Sequence, residues 1–273
     1  MLHPIITSIG AVIAAQASQH GAPAPLAVLA PLANLVAPAP LALYQAPRPR
    51  RWGLELEAGA VFSNRNDIRS PGDSGTRFSL NDLTGEGAFG IGRVTLEYDL
   101  NERHGLRLLY APVRTHGVGE LRKDIRFEDQ NFAAGTARAR YRFDTYRLAY
   151  RYRFAHSENW TWKGGASLLI RDASIELDQG GITDSKSNVG VVPLLNLTGE
   201  WRFAQDWVGI FDFEGAAASQ GRAFDVALKV GYQLTPDLRL SAGYRTIEGG
   251  ADNDEVFTFS WFNSAVVSLR WTF

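Results

Sequence analysis

The sequence predicts an all-β fold, an antiparallel up-and-down barrel of about ten strands that crosses a membrane. Three observations carry this. From Trp52 to the end, apolar and polar residues alternate with period two, the period of a strand with one apolar face. Most alternating stretches run about 11–18 residues, longer than the ~5–6 of a soluble strand and enough for a tilted crossing of about 9–11. Aromatic side chains gather beside the short connections between them.

Composition agrees without deciding the matter. Hydropathy is slightly negative overall, and no clean run of about 18 apolar residues suggests a transmembrane helix. A membrane barrel is apolar on one face only, so its bulk composition is unremarkable. The 27 glycines and 11% aromatics also fit a soluble β-sandwich. A sandwich gives no reason for Trp to collect at one end of successive strands. A net charge of −1 leaves no electrostatic footprint for nucleic acid. The chain has no cysteine, which suits an oxidising export route.

The first 47 residues contain no Asp, Glu, Lys or Arg, and eight of the 12 prolines fall in residues 1–49. Ile5 to Ala15 is a short apolar stretch, and Ala15-Gln16-Ala17 reads as a small-x-small cleavage site. Residues 1–17 are therefore expected to be a signal peptide, although the usual Lys or Arg before the apolar stretch is missing. Residues 18–51 read as an extended Ala/Pro-rich linker, because Pro31, Pro38 and Pro40 each break a helix. Residues 52–273 form the barrel domain.

Ten strands are expected, at 52–64, 88–100, 104–115, 137–154, 160–172, 189–203, 207–217, 222–234, 238–248 and 256–273. Eight or twelve are the alternatives, since 116–136 has room for a hairpin. Short links near Asn101, Ser157, Gln205 and Pro236 alternate with longer ones at 65–87, 116–136, 178–188 and 249–255; the link at 218–221 is short and breaks the pattern. A register shift, such as a bulge, is expected near Phe143 to Thr145. Trp52, Tyr98, Phe154, Trp160, Trp162, Trp201, Phe203, Trp207, Tyr232, Trp271 and Phe273 predict one aromatic girdle. Phe62, Tyr110, Tyr146, Phe213, Phe257 and Phe259 predict the other.

The last seven residues, Val267-Ser268-Leu269-Arg270-Trp271-Thr272-Phe273, end on an aromatic with Trp271, Leu269 and Val267 at alternate positions before it. This resembles the terminal targeting strand of Gram-negative outer-membrane β-barrel proteins. The resemblance covers the architecture of 52–273. It implies an outer-membrane location, contact with outer-membrane lipid and lipopolysaccharide, and insertion by the barrel assembly machinery through Val267, Leu269, Trp271 and Phe273.

Parity assigns the inward face a dense set of charges: Glu55, Glu57, Arg93, Glu97, Arg107, Arg147, Arg151, Arg153, Lys163, Glu200, Arg202, Asp212, Glu214, Asp225, Lys229, Arg239, Arg245 and Arg270. Buried charges must pair or meet water. Ten strands lie near the size at which side chains just fill a barrel. A paired network filling the lumen is one expectation; a narrow polar pore, or a charged pocket open to one side, is the other.

Barrel enzymes define the competing class. Some ten-stranded outer-membrane barrels are surface proteases using acidic residues and a His at the outer rim, and other barrels are lipid hydrolases built on Ser and His. Of His104, His116 and His156, only His116 lies at the outer end of a strand, with no adjacent Ser or paired-Asp motif. A non-enzymatic barrel is therefore expected. Arg138, Arg140 and Arg142 can meet lipopolysaccharide phosphates or simply face solvent. The acidic tip Asp252 to Glu255 lacks the spacing of a twelve-residue Ca²⁺ loop. No metal or cofactor is expected, as no zinc ligand set, phosphate-binding glycine loop or dinucleotide fingerprint is present.

Overall fold

The computed structural model describes residues 50–85 and 87–273. The expected signal peptide, and all but the last two residues of the expected linker, lie outside the described residues. The elements run β1 (Trp52–Arg69), β2 (Phe78–Ser79), α1 (Asn81–Thr84), β3 (Phe89–Asp99), β4 (His104–Leu121), β5 (Ile125–Phe127), β6 (Gln130–Phe132) and β7 (Gly135–His156). They continue with β8 (Trp160–Gln179), β9 (Ile182–Arg202), β10 (Trp207–Ala218), β11 (Gly221–Thr235), β12 (Leu238–Asp252) and β13 (Phe257–Thr272).

Ten strands, β1, β3, β4 and β7 to β13, make the wall. Each pairs antiparallel with its neighbours, and β13 closes on β1 from Gly53↔Thr272 to Arg69↔Phe257. Closure removes the free edges, so the membrane-level backbone is satisfied within the wall. The small β5–β6 hairpin lies in the 116–136 segment but forms a separate sheet.

Inner turns are set by side chains that replace strand hydrogen bonds. Asn101 Oδ1 accepts from the N–H of Arg103 and His104 at 2.9 and 3.0 Å. Ser157 Oγ accepts from Trp160 N–H at 3.1 Å, and Thr235 Oγ1 from Leu238 N–H at 3.1 Å.

Several outer boundaries differ from expectation. No bulge occurs near Phe143 to Thr145, since β4 pairs with β7 without interruption from His104↔Tyr152 to Leu121↔Gly135. The shifts lie instead at Ser63/Arg65, Arg153/Ala155 and Gln233/Thr235. Arg138, Arg140 and Arg142 keep the parity of Tyr146 and Leu148, and Asp144 between them is buried beneath Arg114. The expected loop at 178–188 is mostly strand. β8 and β9 meet in a tight turn at Gly180 and Gly181, whose φ values of 60° and 89° suit glycine and the twist of a hairpin.

One side of the barrel is therefore taller. β7, β8 and β9 span 22, 20 and 21 residues, against 12 for β10. β9 pairs with β10 only up to Leu195↔Gly215. Pro193, which has no N–H to donate, stands just past that limit.

The outward face carries exposed Leu56, Val94, Leu108, Leu148, Leu168, Leu228, Leu240 and Val267. A continuous apolar band of this kind is the lipid-facing surface of a barrel. Aromatics ring its inner edge: Trp160 stacks on Trp201 at 5.2 Å, Trp207 meets Tyr232 at 4.9 Å, and Trp271 meets Phe273 at 4.5 Å. Phe62, Tyr110 and Tyr146 are exposed on the outer side. Phe257 departs from the predicted outer girdle: it is buried, with the guanidiniums of Arg77 and Arg69 4.6 and 5.4 Å from its ring. Arg65 and Arg222 likewise cover Phe259, each at 5.3 Å.

Candidate functional site

The lumen has three levels. The middle level is ionic. Glu57 faces Arg245 at 2.8 Å, Lys229 at 2.9 Å and Arg93 at 3.4 Å. Asp225 receives Arg93 at 3.0 Å and Arg147 at 3.1 Å, and is bonded by Arg245. Glu214 sits 3.2 Å from Arg147 and 3.6 Å from Arg107. Lys229 also bonds Glu55. Glu57, Asp225 and Glu214 are each shared by two or three cations, which is how so many charges stay inside a narrow barrel. An isolated buried ion is very costly, and each shared partner offsets that cost.

Toward the inner end, Glu97 collects Arg107, Arg151 and Arg270 at 3.0, 2.9 and 2.5 Å. Asp212 takes Arg107 at 2.9 Å and a hydrogen bond from Thr198 at 3.1 Å. Glu200 takes Arg239 at 2.9 Å. Of the eighteen charges assigned inward from parity, eleven are buried, and Glu55, Arg153, Lys163, Glu200, Asp212 and Arg270 are half-buried. Arg202 is exposed at the inner mouth.

Below the ionic level lies a polar vestibule of about 470 Å³, bounded at its mouth by Gln205, Asp206, Pro236 and Asp237 of the inner turns. Above it the space closes. A void of about 20 Å³ remains beside Glu57, Arg93 and Arg245, and one of about 30 Å³ beneath Phe143 and Phe262. Voids this small hold one or two waters.

The outer level is an apolar cap. Ile68, Leu80, Leu83, Phe127, Phe132 and Leu177 are each no more than 1% exposed and pack with Val61, Ile91, Val113, Ile175 and Phe262. The cap comes from the connections. Leu80, just before α1, and Leu83 within it are buried in the cap, and Asn81 holds the turn to β1 by accepting from Ser63 Oγ at 2.7 Å and donating to Ser63 O at 2.9 Å. The β5–β6 hairpin lowers Phe127 and Phe132 into the mouth. Its backbone is tied to the segment after β1 by Thr76 N–H to Arg126 O and Glu128 N–H to Ser70 O, both 2.9 Å. It is tied to β9 by Asp129 N–H to Asp184 Oδ2 at 3.0 Å.

Arg171 was absent from the sequence-based list. It shares parity with Lys163 and Leu169, which was the available signal. Its guanidinium lies 4.6 Å from the Phe143 ring, where the ionic level meets the cap.

Other sequence candidates lie elsewhere. His116 is exposed on the outward face of β4, opposite Arg140 of β7. Arg140 bonds Glu176, and Arg142 bonds Asp172 at 2.9 Å. In the acidic tip, Asn253 Oδ1 accepts from the N–H of Glu255 and Val256 at 3.1 and 2.9 Å, closing a turn. Among the described residues, no group of three or more His, Asp or Glu side chains has metal-ligating proximity. Val267, Leu269, Trp271 and Phe273 are exposed on the outward face.

No family model matches the sequence, and no curated protein matches it. Solved structures do. The chain is similar to the outer membrane protease OmpT from Escherichia coli, with a TM-score of 0.54 at 11% identity over 83% of this chain and 98% of that one. The fold is that of the outer-membrane β-barrels. Lower scores relate it to the translocator domain of the autotransporter NalP from Neisseria meningitidis (TM-score 0.43, 11% identity, 84% of this chain and 90% of that one). They also relate it to Ail, the attachment invasion locus protein of Yersinia pestis (TM-score 0.37, 10% identity, 80% and 99%). These identities speak to fold alone.

Proposed function

We propose that this chain is a sealed, non-enzymatic outer-membrane barrel that holds a rigid β-sheet platform outside the membrane for surface interaction. One observation carries the reading: the outer half of the lumen is filled by a close-packed apolar cap centred on Phe127 and Phe132. Ions do not cross such a layer, because an unpaired charge in an apolar medium is very costly. The cross-linked ionic level beneath it stiffens the wall. The extended outer parts of β7, β8 and β9 supply the platform, and Arg138 and Arg140 on its outward face suit lipopolysaccharide phosphates. The terminal Val267, Leu269, Trp271 and Phe273 suit recognition by the barrel assembly machinery.

The pore reading needs a continuous polar path, and the cap argues against it. The enzyme reading needs a nucleophile or activated water beside a base, and His116 stands among arginines on the outward face. Single-channel recording in planar lipid bilayers tests the proposal. The refolded protein is expected to give no stepwise conductance, and reproducible open steps of one size would overturn it.

A further inference from the structure

The inner vestibule holds cations that its own carboxylates do not fully answer. On β7 and β8, Arg153 stands directly opposite Lys163; on β12 and β13, Arg239 stands directly opposite Arg270. Like charges in register on adjacent strands repel, so neither pair favours the fold by itself. In the order of the wall, these two strand pairs lie on opposite sides of the ring. The cationic pairs therefore face each other across the vestibule.

The acids deep in the vestibule are already committed, and among the acids that line it only Asp206, at the mouth, forms no ion pair among the described residues. Glu97 is divided among three guanidiniums, and Glu200 is engaged by Arg239. Lys163 reaches Asp99 only at 3.4 Å. Among the described residues, Arg153 and Arg202 form no ion pair, although both line the cavity. Arg151 is 2% exposed and its Nε has no hydrogen-bond partner. The Nε atoms of Arg153 and Arg239 are also buried without one.

Guanidinium groups present donors in a planar fork that fits the oxygens of carboxylates and phosphates. A cavity of about 470 Å³ lies in the range of small-molecule sites. We propose that the vestibule is a binding site for a small multivalent oxyanion, a phosphate or polycarboxylate compound, entering from the inner side. Arg151, Arg153, Lys163 and Arg202 form the receiving wall, and Arg239 and Arg270 the far wall. The ligand replaces the missing counter-charge. This site is independent of whether the outer mouth is sealed.

Titration calorimetry on the full chain, refolded in zwitterionic detergent, tests this with inorganic pyrophosphate and citrate as separate probes. At least one is expected to bind saturably at one site, more weakly as ionic strength rises. Arg153→Gln and Arg202→Gln are each expected to weaken binding about tenfold or more, while Arg122→Gln, at the exposed outer rim beside Asp82, leaves it unchanged. Arg202 is exposed, so its replacement spares the fold, and heat-modifiable migration verifies each variant. Absence of saturable heat with both probes overturns the proposal. So does binding that Arg202→Gln and Arg153→Gln leave intact.

Discussion

Arg245 joins Glu57 to Asp225 across the lumen, donating from Nε to the first at 2.8 Å and from Nη1 to the second. The two acids come from β1 and β11 and the arginine from β12, so the contact ties the closing seam of the barrel to its neighbouring wall. Asp225 also answers Arg93 and Arg147. Its replacement by Asn would leave three guanidiniums short of one counter-charge. Asp225→Asn is expected to cost about 3–5 kcal/mol, read as a lower urea midpoint in detergent. Arg140→Gln, which breaks an exposed pair, is expected to cost under about 1 kcal/mol.

Phe127 is fully buried at the centre of the cap. Phe127→Ala removes its ring from a close-packed cluster, a change that costs about 3–5 kcal/mol in buried cores. The loss falls on the cap rather than the wall. The variant is expected to keep its folded electrophoretic mobility but leak current in planar bilayers where the parent is silent.

Asp67 gives the outer rim a defined response to pH. It lies beyond the β1 bulge, outside the membrane-crossing part of the strand. Burial raises its pKa, but hydrogen bonds from Arg77 and Arg65, at 2.6 and 2.8 Å, and their charges more than offset this, and the net shift is downward. A depressed folded pKa means the stabilisation is present above the ordinary carboxylate pKa of about 3.9 and is lost as pH falls through the lower folded value. Amide hydrogen exchange of residues 70–77, corrected for the intrinsic pH dependence of exchange, is expected to lose protection across that acid range. Asp67→Asn should show low protection already at neutral pH and little further change.

Phe273 pairs with Trp52 through reciprocal backbone hydrogen bonds of 2.9 and 3.0 Å and packs on Trp271. Truncating its side chain leaves those backbone bonds available. Phe273→Ala is therefore expected to refold in detergent with near-parental yield, while the folded fraction in cell membranes drops several-fold. Equal losses in both settings would assign Phe273 to stability and not to assembly.

The wall was legible because lipid on one side and polar side chains on the other enforce period two wherever the strand lies in the membrane. From Trp52 to Phe62, and again along β11, that pattern is unbroken, and along β13 only Asn263 interrupts the apolar parity. It fails above the membrane, where both faces meet water or protein. Thr183 to Asn188 are polar throughout, so the upper part of β9 read as loop, although it pairs with β8. The bulge at Ser63/Arg65 moves the buried positions of β1 from odd to even numbers, which hid Asn66 and Ile68. Phe257 kept the outward parity, but no sequence pattern reveals that Arg69 and Arg77 fold over it. The inward charges followed from parity alone. Their pairing did not, since contacts such as Glu57 with Arg245 depend on how the ring closes. The cap was the least legible part: Leu80, Leu83, Phe127 and Phe132 belong to connections, where apolar residues carry no period.

Cysteine accessibility distinguishes a lumen open at its inner end and sealed at its outer end from a continuous pore. The chain has no cysteine of its own, so single substitutions report cleanly. Ala139→Cys, in the cap, and Arg202→Cys, at the inner mouth, are compared with Val118→Cys on the exposed outward face of β4. A charged, membrane-impermeant thiol reagent is applied to intact cells and to refolded protein in detergent. Val118→Cys is expected to react in both, Arg202→Cys only in detergent, and Ala139→Cys in neither. Labelling of Ala139→Cys in intact cells as fast as Val118→Cys would overturn the sealed outer end.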